Sequence, residues 1–107
     1  MPSVEALYDE GVDLKDQGDR QGAIAKLESA VALDPDHLNS HIMLSKLYVD
    51  VAEVDKAVAH ARRIVEIEPD DPYSFTVLSV IYQRCGMIPE AEDAKYRAVR
   101  MQQGLED

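Results

Sequence analysis

Residues 18 to 36 read GDRQGAIAKLESAVALDPD, and residues 52 to 70 read AEVDKAVAHARRIVEIEPD. Each stretch opens on a small residue, carries alanine and aliphatic side chains at helical intervals, and closes on a proline flanked by acids. Shifting the whole chain by 34 residues extends the match. Gly18 falls on Ala52 and Gly86, Ala23 on Ala57 and Ala91, and Val31 on Val65 and Val99. Gly11 falls on Ser45 and Ser79, Leu14 on Tyr48 and Tyr82, Ala30 on Ile64 and Ala98, and Pro35 on Pro69. Small residues recur where small ones are needed, so the period belongs to the packing and not to chance.

Each period splits into two helices. Apolar and small residues recur at spacings of three and four, as in Leu7, Gly11, Leu14 and in Ala23, Leu27, Ala30. Breaks fall at QGD (17–19), DPD (34–36), VAE (51–53), EPDDP (68–72) and CGM (85–87). Asp71 before Pro72 is a clear start, an N-cap carboxylate followed by proline at the first helical position. The pattern predicts six helices over about 4–17, 20–33, 38–51, 54–67, 72–85 and 88–102, and no strand.

A 34-residue helix–turn–helix period resembles the tetratricopeptide repeat, over residues 4 to about 103. The resemblance implies an all-α, right-handed superhelical solenoid of three hairpins, with repeats at about 4–37, 38–71 and 72–105. The chain departs from the family pattern in places. The aromatic near the start of the first helix is Leu7, His41 and Phe75 here, and the family's glycine survives only as Gly11. The third copy has Gln103 in place of Pro35 and Pro69, and Lys95 in place of Leu27 and Ala61.

These departures mark the ends of the stack. Each repeat should bury its first helix against the second helix of the repeat before it. The backward stripe reads Ser40, Leu44, Leu47, Val51 and then Ser74, Leu78, Ile81, Cys85, but Ala6, Glu10, Asp13, Gln17 in the first repeat. The forward stripe reads Ile24, Leu27, Val31 and then Val58, Ala61, Val65, but Glu92, Lys95, Val99 in the last. Burying Glu92 or Lys95 unpaired would cost several kcal/mol, so both ends are expected to face water and three repeats to form one complete domain.

The 107 residues carry a net charge of −10, which disfavours nucleic acid and anionic membranes as partners. The charge reads as solubility first, and as attraction of a basic partner second. No apolar run approaches the roughly 20 residues of a membrane span, and the acidic N-terminus lacks the apolar core of a signal peptide. A single cysteine, Cys85, excludes an internal disulfide framework and fits the cytoplasm. Enzymatic motifs are missing: there is no phosphate-binding glycine loop, HExxH or G-x-S-x-G. His37 and His41 stand four apart, but a zinc site needs further ligands, and Cys85 and His60 lie elsewhere in the sequence. A turn histidine plus one half-buried in an aromatic column is the better reading, so neither metal nor cofactor is expected.

What remains is the concave surface, where members of the family hold peptides or helices. The inward positions are Glu5, Tyr8, Asp9 and Val12, then Asn39, Ile42, Met43, Lys46 and Val49, then Tyr73, Thr76, Val77, Val80 and Arg84. The expected groove is Tyr8, Val12, Ile42, Met43, Lys46, Tyr73, Val77, Val80 and Arg84, an apolar surface that marks a binding site unless Met43 and Val77 pack inward. The family's carboxylate clamp would fall on Tyr8, Val12, Met43, Tyr73 and Val77, none of which carries a clamp donor, so that cochaperone role is rejected. The expected function is a non-catalytic adaptor or scaffold, monomeric, binding an apolar or amphipathic, even basic, segment of another protein. The alternatives are a homodimer whose grooves cover each other, and an accessory subunit presenting substrates to an enzyme.

Overall fold

The computed structural model describes residues 2–104. Six helices follow one another: α1 (Val4–Asp16), α2 (Arg20–Leu33), α3 (Leu38–Asp50), α4 (Val54–Ile67), α5 (Pro72–Arg84) and α6 (Ile88–Gln102). There is no strand among the described residues, and the last position of the third expected period, 105, lies outside them. The first helix of each pair stops one residue short of expectation. Gln17, Val51 and Cys85 are caps whose N–H groups still bond to carbonyls of the last turn, so they close the helix without continuing it.

The three hairpin turns close in the same way. The N–H groups of Asp19, Glu53 and Met87 reach back to the carbonyls of Leu14, Tyr48 and Tyr82 at 2.9, 2.8 and 2.8 Å. That closure places Gly18, Ala52 and Gly86 in the left-handed region at φ +89°, +63° and +77°. Side chains begin three of the helices: Ser3, Asp19 and Asp71 accept from the N–H groups of Ala6, Gly22 and Tyr73.

Helices pack on their neighbours in sequence, and α3 also touches α5. The stack is elongated, 44 × 27 × 20 Å, with a radius of gyration of 14.2 Å against about 13 Å for a compact chain near this length. Gly11 permits the closest approach within the first pair, because a Cβ there would stand 2.9 Å from Leu27 Cγ. Between pairs, the stripes behave as the sequence implies. Leu27, Leu44, Leu47 and Ile81 of these stripes are fully buried, each contributing about 1.5–3 kcal/mol of apolar burial. Ala6, Glu10, Asp13 and Gln17 at one end, and Glu92, Lys95 and Val99 at the other, face solvent.

Candidate functional site

The first helices α1, α3 and α5 line one side of the stack, and the expected groove residues fall into three kinds. Tyr73 and Val80, seven apart on α5 and therefore on one face, are open to solvent at 51% and 45% exposure. Tyr8, Val12, Ile42 and Met43 are half-buried, and Tyr8, Ile42 and Met43 pack against the core. Tyr8 also meets the His37 ring edge-on, 5.6 Å between centroids. Val77 differs from the groove expectation. At 5% exposure it belongs to the core, although it shares a side of α5 with Tyr73 and Val80, because α5 packs on α3 as well as on α4 and α6.

The two cations of the groove also differ. Lys46 is exposed and takes no part in the ion pairs among the described residues. Arg84 is engaged: its Nη2 donates to Asp50 Oδ1 at 2.7 Å, and Arg20 Nε lies 3.8 Å from Asp50 Oδ2. Asp50 thereby ties α2, α3 and α5 together near the groove. Asp50 and Arg84 stand 34 residues apart, one period of the repeat. The acidic end of the groove is α1, where Glu5 and Asp9 are exposed.

The histidines arrange themselves otherwise than their sequence spacing suggested. His41 is buried, not half-buried, and its partner is His60 rather than His37. His41 Nε2 donates to the Pro35 carbonyl at 2.7 Å, and its Nδ1 shares a hydrogen bond with His60 Nδ1 at 2.9 Å. The far side of the His60 ring then presents Nε2 to Glu28 Oε2, 3.5 Å away. Glu28 also accepts from the Tyr48 hydroxyl, which raises the tyrosine pKa after the larger effect of burial. The His60 ring stacks on Tyr48, 5.6 Å between centroids and 10° between planes. Burial lowers the His60 pKa below its ordinary value, the Glu28 carboxylate opposing and His41 adding to the shift. His60 stands 19 residues from His41 and on another helix, yet the packing of α4 on α3 brings the two rings together. Among the described residues no three His, Cys, Asp or Glu side chains form a metal-holding group, and no helix is long and apolar enough to cross a membrane.

Paired helices, a common turn closure and a shared stacking stripe agree with the sequence match: residues 14–81 fit the profile of the tetratricopeptide repeat. The chain belongs to the tetratricopeptide repeat family. Tetratricopeptide repeats are protein-interaction modules, and the fold of this chain is consistent with that role. No curated protein sequence matches the chain. Among solved structures, it is similar to MamA, with a TM-score of 0.84 at 24% identity over 95% of this chain and 60% of that one. A second MamA structure matches at 25% identity and TM-score 0.84, over 94% of this chain and 55% of that one. YrrB, described as a tetratricopeptide repeat protein with an unusual peptide-binding site, matches at 18% identity and TM-score 0.83, over 96% of this chain and 53% of that one. This tetratricopeptide repeat chain thus spans little more than half the length of the structures it resembles.

Proposed function

We propose that residues 4–103 act as one non-catalytic interaction unit that takes an apolar or amphipathic segment of another protein along the faces of α1, α3 and α5. The observation that carries this reading is the pair Tyr73 and Val80, large apolar side chains left in water on the face that Tyr8, Ile42 and Met43 continue. Stacking between repeats uses other residues, so the exposure of these two serves no internal contact. Arg84 is held by Asp50 and Val77 is buried, so the contact surface reduces to Tyr73, Val80, Ile42, Met43, Tyr8, Val12 and the free ammonium of Lys46. Glu5 and Asp9 at the α1 end favour a segment whose far end is basic. The peptide-binding description of YrrB supports a peptide-like ligand for a stack of this shape.

Val80→Glu tests the reading. An exposed substitution should change stability by less than about 1 kcal/mol, yet it would force a carboxylate to be desolvated beneath the ligand. Partners captured from a native lysate by the parent chain should be lost by the variant. Retention of the same partners at high salt by Val80→Glu, together with their loss on Asp9→Asn, would replace the apolar contact with recognition of a basic partner.

A further inference from the structure

In the first two hairpins the second helix gives its forward stripe to the repeat that follows. Ile24, Leu27 and Val31 of α2, and Val58, Ala61 and Val65 of α4, are buried or partly buried in this way. The same stripe of α6 has no later helix stacked on it among the described residues. It still carries apolar side chains. Ile88 and Val99 are 50% and 38% exposed, and Tyr96 at its margin is 63% exposed. Between Ile88 and Val99 stand two exposed charges, Glu92 and Lys95. Three-residue spacing on a helix would let them pair, yet neither side chain takes part in an ion pair or hydrogen bond among the described residues.

The positions 88, 92, 95 and 99 step by four, three and four, which is the a/d seam of a heptad. Such a seam fits a helix of its own kind. In an antiparallel pair, an a position of one helix meets a d position of the other. With a two-fold axis passing between Asp93 and Ala94, Ile88 meets the second copy's Val99, and Glu92 meets its Lys95. The symmetry makes each contact twice. Every charge in the seam then opposes one of the other sign, and apolar residues close both ends.

The wider charge of the helix suits this contact. Glu90, Glu92 and Asp93 balance Lys95, Arg97 and Arg100, so α6 is neutral in a chain of net charge −10. At the other end of the stack, α1 carries Glu5, Asp9, Glu10, Asp13 and Asp16 against Lys15 alone. Laying α1 of another copy on α6 would set acids against Glu92, so a head-to-tail contact is disfavoured. A first helix bearing leucines, as α3 brings Leu44 and Leu47 to α2, would bury Glu92 and Lys95 unpaired.

We infer that the exposed stripe of α6 is a self-association surface, on which two copies of this chain pair antiparallel about a two-fold axis. The contact uses none of the α1, α3 and α5 residues of the proposed groove, so the dimer leaves two grooves open and does not cover them. A single helix pair is a small interface, and the dimer is accordingly a weak one, forming at micromolar concentration.

Sedimentation equilibrium of the full chain from micromolar to millimolar concentration is the test. The mass should rise from that of one chain toward that of two and no further. Lys95→Glu and Glu92→Lys are both exposed changes, and each sets like charges face to face twice, so each should weaken the dimer about tenfold. An equimolar mixture of the two variants should recover the parent's association, because the charges of one oppose those of the other. The double variant, Glu92→Lys with Lys95→Glu, should recover it alone. Helical circular dichroism matching the parent identifies the folded variants, and the parent's own mass needs no variant at all. A parent that stays monomeric, or a mixture that fails to recover, would overturn the assignment. Stronger association of Glu92→Lys would overturn it as well, in favour of α1 of another copy as the occupant. Val80→Glu should leave the dimer unaltered, and loss of the dimer in that variant would show that the grooves cover each other instead.

Discussion

The first and second interfaces between repeats share a backbone and differ in what fills them. Between α2 and the α3–α4 pair, Glu28, His41, Tyr48 and His60 form a closed column of rings and hydrogen bonds. Between α4 and the α5–α6 pair, Arg62 bonds to Tyr82, and Phe75 and Tyr82 border an open depression beside Ala94, one period on from His60. One period of sequence therefore supports two outcomes, depending on whether a single position carries a ring or a methyl group. A repeat fixes the helices, while function resides in substitutions that the repeat tolerates.

The largest effect should come from charging the stacking stripe at each interface in turn. Leu44 is fully buried, so Leu44→Glu places an unpaired carboxylate between repeats with no route to water. The expected cost exceeds about 3 kcal/mol, a large share of the 5–15 kcal/mol that stabilises an ordinary domain. Leu78, at 8% exposure, borders the open depression, so Leu78→Glu can turn its carboxylate toward water and should cost about 2 kcal/mol. Chemical denaturation of both variants measures the difference. Equal costs would remove the distinction between a closed and an open interface.

Exchanging the ring is the next test. His60→Ala removes the stack on Tyr48 and leaves His41 Nδ1 without its hydrogen-bond partner, a loss of about 2 kcal/mol. Ala94 is buried but borders the depression, so Ala94→His should cost less, about 1 kcal/mol, because the ring can extend into that depression. Reversal of that order in thermal melts would show that the column does not hold the first interface.

These two residues also mark the limit of what the sequence made legible. The stacking stripes could be read because they need only the helical period: every position assigned to a contact between repeats, from Ile24 to Ile81, depends on spacing along one helix. The polar ends at Glu10 and Lys95 followed from the same spacing. Val77, His60 and Asp50 could not be read that way. Whether Val77 faces water depends on how closely α5 approaches α3, and whether His60 meets His41 depends on how α4 lies against α3. The Asp50–Arg84 pair crosses between helices of different repeats, a relation invisible within either one. The depression beside Ala94 was hidden for a further reason, since an alanine at 94 is informative only once His60 is seen between its rings.

Acidity separates the two interfaces less strongly. The folded chain holds the His60 pKa below its ordinary value of 6.5, so the unfolded chain takes up that proton first as the pH falls. The sign follows directly: His60 makes no difference to stability well above pH 6.5, and stability is lost as the pH falls from there through the lower, folded value. Glu28, Tyr48 and His41 face the ring, Lys56 lies over Tyr48, and Glu28 is the group that resists the loss. The melting temperature should therefore drop between pH 7 and pH 5, and less so in His60→Gln. Identical pH profiles for parent and variant would exclude His60 as the source.

The smallest effect concerns the turns that precede α4 and α6. Both require a left-handed residue, and the chain uses Ala52 at φ +63° in one and Gly86 at φ +77° in the other. Alanine in this region carries a steric cost of about 1–2 kcal/mol, because its Cβ approaches the following carbonyl oxygen. Glycine removes that cost but gives the unfolded chain more freedom, which opposes the gain by about 0.5–1 kcal/mol. Ala52→Gly should thus stabilise the protein by about 0.5 kcal/mol, raising the melting temperature by about 2–4 °C. Nothing stands within 4 Å of a Cβ built on Gly86, so Gly86→Ala meets no steric neighbour and tests the backbone preference alone. It should lower stability by about as much as Ala52→Gly raises it. A destabilising Ala52→Gly would mean that the methyl group of Ala52 contributes a contact that outweighs its strain, and that the two turns, alike in φ and in hydrogen bonding, are held by different forces.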